Sequence, residues 1–128
     1  MSSFAKIIAA ISPFKIPHAP GIYTGPKSSG WIVYNYADDR GEDFADDEPG
    51  IRKVSLQVHL YLPARENFLT IKEQIREALF AQEDFTYPAV TDLGEDSIGK
   101  RHLVFEFDSW EPRTSAEITE TEAVNNGI

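Results

Sequence analysis

Residues 53–62, KVSLQVHLYL, constrain this chain more than any other stretch. Val54, Leu56, Val58, Leu60 and Leu62 alternate without a break against Lys53, Ser55, Gln57, His59 and Tyr61. An apolar period of two puts the first set on one face of a strand and the second set on the other. The stretch therefore predicts a long strand with one buried face and one wet face. Pro63 has no N–H to offer a ladder and ends it.

An amphipathic helix is predicted next, over 67–81. Phe68, Ile71, Ile75, Ala78 and Leu79 form its apolar stripe, and Lys72, Glu73, Arg76 and Glu77 face out. Its start is open between an Asn67 cap and a Thr70–Glu73 capping box. A shorter helix, capped by Ser2 or Ser3, runs to Ile11 or Ser12, with Phe4, Ile7, Ile8 and Ile11 on one face and Pro13 as its stop. So short a helix is marginal alone and has to dock.

Residues 13–30 carry Pro13, Pro17, Pro20 and Pro26 and read as an extended connection, with one short strand at 21–24 and a turn at 25–30. Residues 31–36, WIVYNY, form a strand with bulk on both sides: Trp31, Val33 and Asn35 against Ile32, Tyr34 and Tyr36. Such a strand is covered on both faces, either within the domain or by a neighbouring subunit. A short strand at 90–93, a turn at 94–99 and a strand at 101–110 complete the pattern. Short connections favour antiparallel pairing of the last strand with the 31–36 or the 53–62 strand. The expected fold is α+β: a mostly antiparallel sheet with an N-terminal and a central helix packed on one face. It is expected as a single domain over 1–112.

The formal net charge of −9 is concentrated. Asp38, Asp39, Glu42, Asp43, Asp46, Asp47 and Glu48 stand against Arg40 alone, and residues 37–50 are read as an exposed acidic loop. Residues 113–128 are also acidic, have no apolar pattern and are expected to be disordered. No basic footprint for reading nucleic acid is present. No run of about 20 apolar residues is available to span a bilayer, and the start, broken by Pro13, reads poorly as a signal peptide.

Candidate chemistry is sparse. The chain has no cysteine, which removes disulfides, thiol nucleophiles and Cys-ligated zinc. His59 and His102, with Glu106, are the one combination suggesting a metal, and no motif spacing supports it. The acidic loop lacks the ligand offsets and flanking helices of an EF-hand. It reads first as a solvated loop, then as a surface for a basic partner or a wall repelling DNA. GPKSSG and GEDSIGK are not P-loops, and no G-x-S-x-G elbow occurs. No catalytic, metal or cofactor residue is assigned, and no enzyme activity is expected. Tyr34, Tyr36 and Tyr61 are amphipathic aromatics suited to subunit contacts, or to cover by the domain's own helices.

The order of pieces GWIVYNYADDR, ADDEP, VSLQVHLYLP, ENFLTIKEQIREALF, FTYPAVTDL and RHLVFEFD resembles the tail-completion or tail-terminator (minor capsid-type) proteins of long-tailed bacteriophages and prophages. The resemblance covers about residues 22–110. It implies an α+β subunit, six copies of which close into a ring at the head-proximal end of the tail tube. That ring stops tube polymerisation and offers the head-joining surface. The implied partners are the subunit itself, the tail tube protein and the head-completion or connector proteins, while DNA passes through unread and no membrane is involved. The implied location is the virion tail, with host cytoplasm during assembly. A head–tail connector or minor capsid component of the same module is the alternative, and a small metal-dependent enzyme a remote one. Under this reading Ser55, Gln57, His59 and Tyr61 join Tyr34 and Tyr36 as interface candidates, and the acidic loop faces either the lumen or a partner.

Overall fold

A computed structural model of the protein describes residues 2–40, 51–64 and 67–112. Five strands form one sheet: β1 (His18–Pro20), β2 (Trp31–Arg40), β3 (Ile51–Pro63), β4 (Ala89–Glu95) and β5 (Lys100–Pro112). Their spatial order is β1-β2-β3-β5-β4. β1 runs parallel to β2, and every other pair is antiparallel. Helices α1 (Ser3–Ile11) and α2 (Phe68–Phe80) complete an α+β fold. Because β5 lies between β3 and β4, the β3–α2–β4 crossover is a split βαβ unit.

β3 is the central strand, and its parity organises the molecule. Leu56 lies opposite Phe107, Val58 opposite Phe105 and Leu60 opposite Leu103, while Ile32 and Tyr34 of β2 lie opposite Leu60 and Val58. These residues are buried with Ile7, Ala10 and Ile11 of α1, with Ile75 and Leu79 of α2, and with Phe85. Each large aliphatic side chain so buried contributes about 1.5–3 kcal/mol relative to exposure, before chain entropy opposes it.

The helices begin where short polar side chains can satisfy free N–H groups. Ser2 Oγ accepts from Ala5 N at 3.1 Å. Asn67 Oδ1 accepts from Leu69 N at 3.1 Å, so Asn67 and not Thr70 caps α2. α1 ends at Ile11, ahead of Pro13, as its sequence predicts. Residues Ser12–Phe14 tighten into a 3₁₀ turn, which has no use for the missing proline N–H, and Lys15 leaves it at φ 60°. At the start of α2, the Arg101 guanidinium lies 4.2 Å over the Phe68 ring and pairs with Asp92 at 2.8 Å.

Two expectations are corrected. The first short strand lies at His18–Pro20, not at 21–24. It pairs in parallel with β2, using the carbonyl of Pro17, which accepts from Ile32 N at 2.8 Å, and the N–H of Gly21, which donates to Tyr34 O at 2.9 Å. Prolines are tolerated there because the strand is an edge. Second, 37–40 is strand and not loop: β2 continues to Arg40, opposite residues 53–55, after a bulge between Tyr36 and Asp38. Backbone ladder bonds do not require apolar side chains, and a bulge absorbs one extra residue. Asp38 and Asp39 therefore belong to β2. Of the two kinds of cover expected for the bulky strand, the chain itself supplies the one at Trp31. Trp31, on the face away from the helices, is 5% exposed and stacks on Tyr23 of the chain's own 21–30 segment. The rest of the acidic segment, with Glu42, Asp43, Asp46, Asp47 and Glu48, and the 113–128 tail lie outside the described residues.

Candidate interaction surface

Both helices pack on one face of the sheet, and the other face carries the odd-numbered residues of β3. Lys53, Ser55, Gln57, His59 and Tyr61 share it with Trp110, Asp108, Glu106, Val104 and His102 of β5, each pair directly opposite. Trp31, Val33 and Asn35 of β2 continue it beyond Tyr61, His59 and Gln57.

Two kinds of side-chain order run across this face. The first is a row of rings. Tyr23, Trp31, Tyr61 and His102 follow one another at centroid separations of 5.5, 4.9 and 4.2 Å, with ring planes within 17° of parallel. Trp31 and Tyr61 are directly opposite across β2–β3, and Tyr61 and His102 across β3–β5, which brings their side chains within contact range. Gly30 makes the approach possible: a Cβ there would meet Tyr61 O at 2.7 Å.

The second is a polar ladder. Ser55 Oγ donates to Asp108 Oδ1 at 2.8 Å, Gln57 Nε2 to Glu106 Oε2 at 3.1 Å and Asn35 Nδ2 to Gln57 Oε1 at 3.3 Å. His59 Nε2 lies 3.2 Å from Gln57 Oε1, and His59 Nδ1 lies 2.8 Å from His102 Nε2. Burial pushes both imidazoles below their ordinary range; Glu106 opposes the shift at His59, whereas at His102 the neighbouring His59 adds to it and Asp96 opposes it. Both shifts favour the uncharged ring.

Trp31 and Tyr61, with Val33, Asn35 and His59, floor a groove of about 400 Å³ between the 21–30 segment and the β4–β5 turn. Ile22, Tyr23 and Lys27 line one side, and Asp96 and Ile98 the other. Ile22 and Ile98 are 73% and 59% exposed, large apolar residues held out into solvent. The turn itself is set by Asp96, whose Oδ1 accepts from Ile98 N and Lys100 N, and by Gly99 at φ 78°.

The six expected interface residues do not form one surface. Ser55, Gln57, His59 and Tyr61 lie together on the open face. Tyr34 lies on the helix-covered face, is 3% exposed and meets Phe4 edge-on at 5.0 Å. Tyr36 is on that same covered face at its rim, stacked on Phe4 at 4.8 Å, with its hydroxyl donating to Glu111 Oε2 at 2.7 Å. Both therefore fasten α1 to the sheet. Burial disfavours ionisation of Glu111, but the hydrogen bonds from Arg52 and Tyr36 help outweigh it and hold the carboxyl below the usual carboxylate range. Tyr23, Lys27, Ile22 and Ile98 are additions that period-two reading could not supply, because they lie on irregular segments.

Among the described residues, no three or more histidine or acidic side chains converge as a metal cage, and no helix is long and apolar enough to cross a membrane. No protein-family model matches the chain, and no curated protein matches it.

Proposed function

We infer that this chain is a non-enzymatic assembly subunit, a tail-terminator or tail-completion protein. Its copies close into a ring, a hexamer by the resemblance, at the head-proximal end of a phage tail tube. The observation that carries the reading is the sheet face that, among the described residues, neither helix covers. Both helices sit on one side, leaving a surface on β2, β3 and β5 with ordered aromatic and amide groups and projecting apolar residues at its margin. Aromatic anchors amid satisfied polar groups are what protein contacts use. A ring further requires a heterologous contact that closes on itself. The open face is one half of that contact or the seat for the tube protein, and the ring presents its other surface to the head-completion proteins. Asp38, Asp39 and the acidic residues that follow lie at the lumen or against a partner, and a negatively charged lumen lets DNA pass without being held. In this reading the protein resides in the virion tail.

Deleting the gene tests it. Overlong or headless tails are expected, restored by the gene in trans. Tails of normal length that join heads would overturn the reading. Cryo-electron microscopy of the virion separates a terminator from a connector or minor capsid component by the position of the copies.

A further inference from the structure

We propose that His59 and His102 form a two-imidazole chelate for a borderline divalent metal ion, with copper(II) and nickel(II) preferred over zinc(II). Two ring nitrogens, His59 Nδ1 and His102 Nε2, converge to 2.8 Å from adjacent strands. With metal–nitrogen bonds of about 2.0–2.1 Å, two ligands at a right angle stand about 2.9 Å apart and two at the tetrahedral angle about 3.3 Å apart. The observed separation is that of a hydrogen bond between the rings, which must turn to aim both lone pairs at one ion. The right-angle bite needs the smaller opening, and affinity at imidazole sites rises to copper(II) and falls at zinc(II).

The surrounding groups arrange His59 as a ligand. Asn35 donates to Gln57 Oε1 at 3.3 Å, and Gln57 Nε2 donates to Glu106 Oε2 at 3.1 Å. Those two bonds orient the Gln57 amide with its oxygen toward His59 Nε2. That nitrogen therefore carries the proton, and the Nδ1 lone pair faces His102. An outer hydrogen bond that fixes the ring tautomer is the usual support for a metal-binding histidine. Stacking on Tyr61 at 4.2 Å holds the His102 ring in place.

Without metal, His102 Nε2–H donates to His59 Nδ1. On binding, that proton moves to His102 Nδ1, so the pair remains neutral and both facing nitrogens offer lone pairs. His59 lines the groove between the two loops, where water can complete the coordination shell. Glu106 and Asp96 add negative potential that favours a dication.

The test uses the full chain without a polyhistidine tag, stripped of metal by chelator dialysis. Copper(II), nickel(II), zinc(II) and magnesium(II) chlorides are titrated calorimetrically, and the copper form is read by electron paramagnetic resonance. The expected result is one copper per chain with coupling to two imidazole nitrogens, weaker nickel, weaker zinc and no magnesium binding. His59→Asn and His102→Asn should each weaken copper binding at least tenfold, His18→Asn should leave it unchanged, and copper should raise the melting temperature reversibly to chelator. No copper binding by the folded wild type, fewer than two coupled nitrogens, or affinity that survives His102→Asn in a folded variant would overturn the proposal. The wild-type spectrum decides the matter even if a variant fails to fold.

Discussion

Tyr61 and His102 face each other across β3 and β5 with ring centroids 4.2 Å apart and planes 17° from parallel. Tyr61 is also stacked on Trp31 at 4.9 Å, so one side chain ties three strands together on the face the helices leave uncovered. Aromatic pairs of this kind contribute about 0.5–1.5 kcal/mol each beyond area burial. Tyr61→Ala is expected to cost about 2–4 kcal/mol, since it removes two such pairs and a half-buried ring. Tyr61→Phe should cost well under half as much. Urea denaturation of the two variants checks the difference; equal losses would mean that stacking is not the source.

On the opposite face, Ile75 of α2 is fully buried against the sheet. Ile75→Ala should destabilise by about 2–5 kcal/mol, through lost transfer energy and the cavity left behind. Leu69, on the same helix but 57% exposed, gives the control: Leu69→Ala should stay within about 0.5 kcal/mol of wild type. Paired denaturation curves measure both.

Gly30 is expected to reject a side chain although its residue type looks like ordinary turn punctuation. A Cβ would sit 2.7 Å from the Tyr61 carbonyl oxygen, a backbone atom that cannot rotate away. Gly30→Ala should therefore cost about 1–3 kcal/mol, the range for overpacking. A melting temperature equal to wild type would show that β2 can shift to admit the methyl group.

Acid sensitivity should centre on Glu111. Its carboxyl is held below its ordinary value of 4.5, with Arg52 at 2.8 Å and the Tyr36 hydroxyl at 2.7 Å. A carboxylate with a lowered folded-state pKa stabilises the fold above its unfolded pKa, and that stabilisation is lost as pH falls through the folded value. Stability should thus decline below about pH 4.5. Glu111→Gln should be less stable at pH 7 and show a flatter acid limb. Urea midpoints measured from pH 7 down to pH 3 test this.

Assembly predictions follow from the projecting residues of the open face. Ile98 and Trp110 are 59% and 36% exposed there, so Ile98→Asp and Trp110→Asp should fold like wild type yet fail to form rings or to complete tails. Complementation of a gene deletion and light scattering read the two outcomes. If like charge in the acidic segment opposes association, ring formation should rise with ionic strength; insensitivity to salt would remove that role.

Several features are legible in the sequence. Period two in β3 identified its core face, and the 3.6 period identified Ile75 and Leu79 as inward residues of α2. Asn67 and Thr70 could not be separated as caps, because both have the required oxygen and only the backbone path selects one. The 37–40 segment misled because polar composition resembles a loop, while the β3 edge offered it a ladder regardless of side chain.

For the open face, the sequence alone determined which β3 residues point outward, since alternation is a property of any strand. It did not determine that Tyr34 and Tyr36 would be spent against Phe4 while Trp31 would join Tyr61 and His102. That depended on strand order and register, set by pairings between residues far apart in the chain, Tyr61 with His102 among them. The meeting of His59 with His102 was decided at the same level, because a shift of one residue in the β3–β5 pairing would point the two rings to opposite faces.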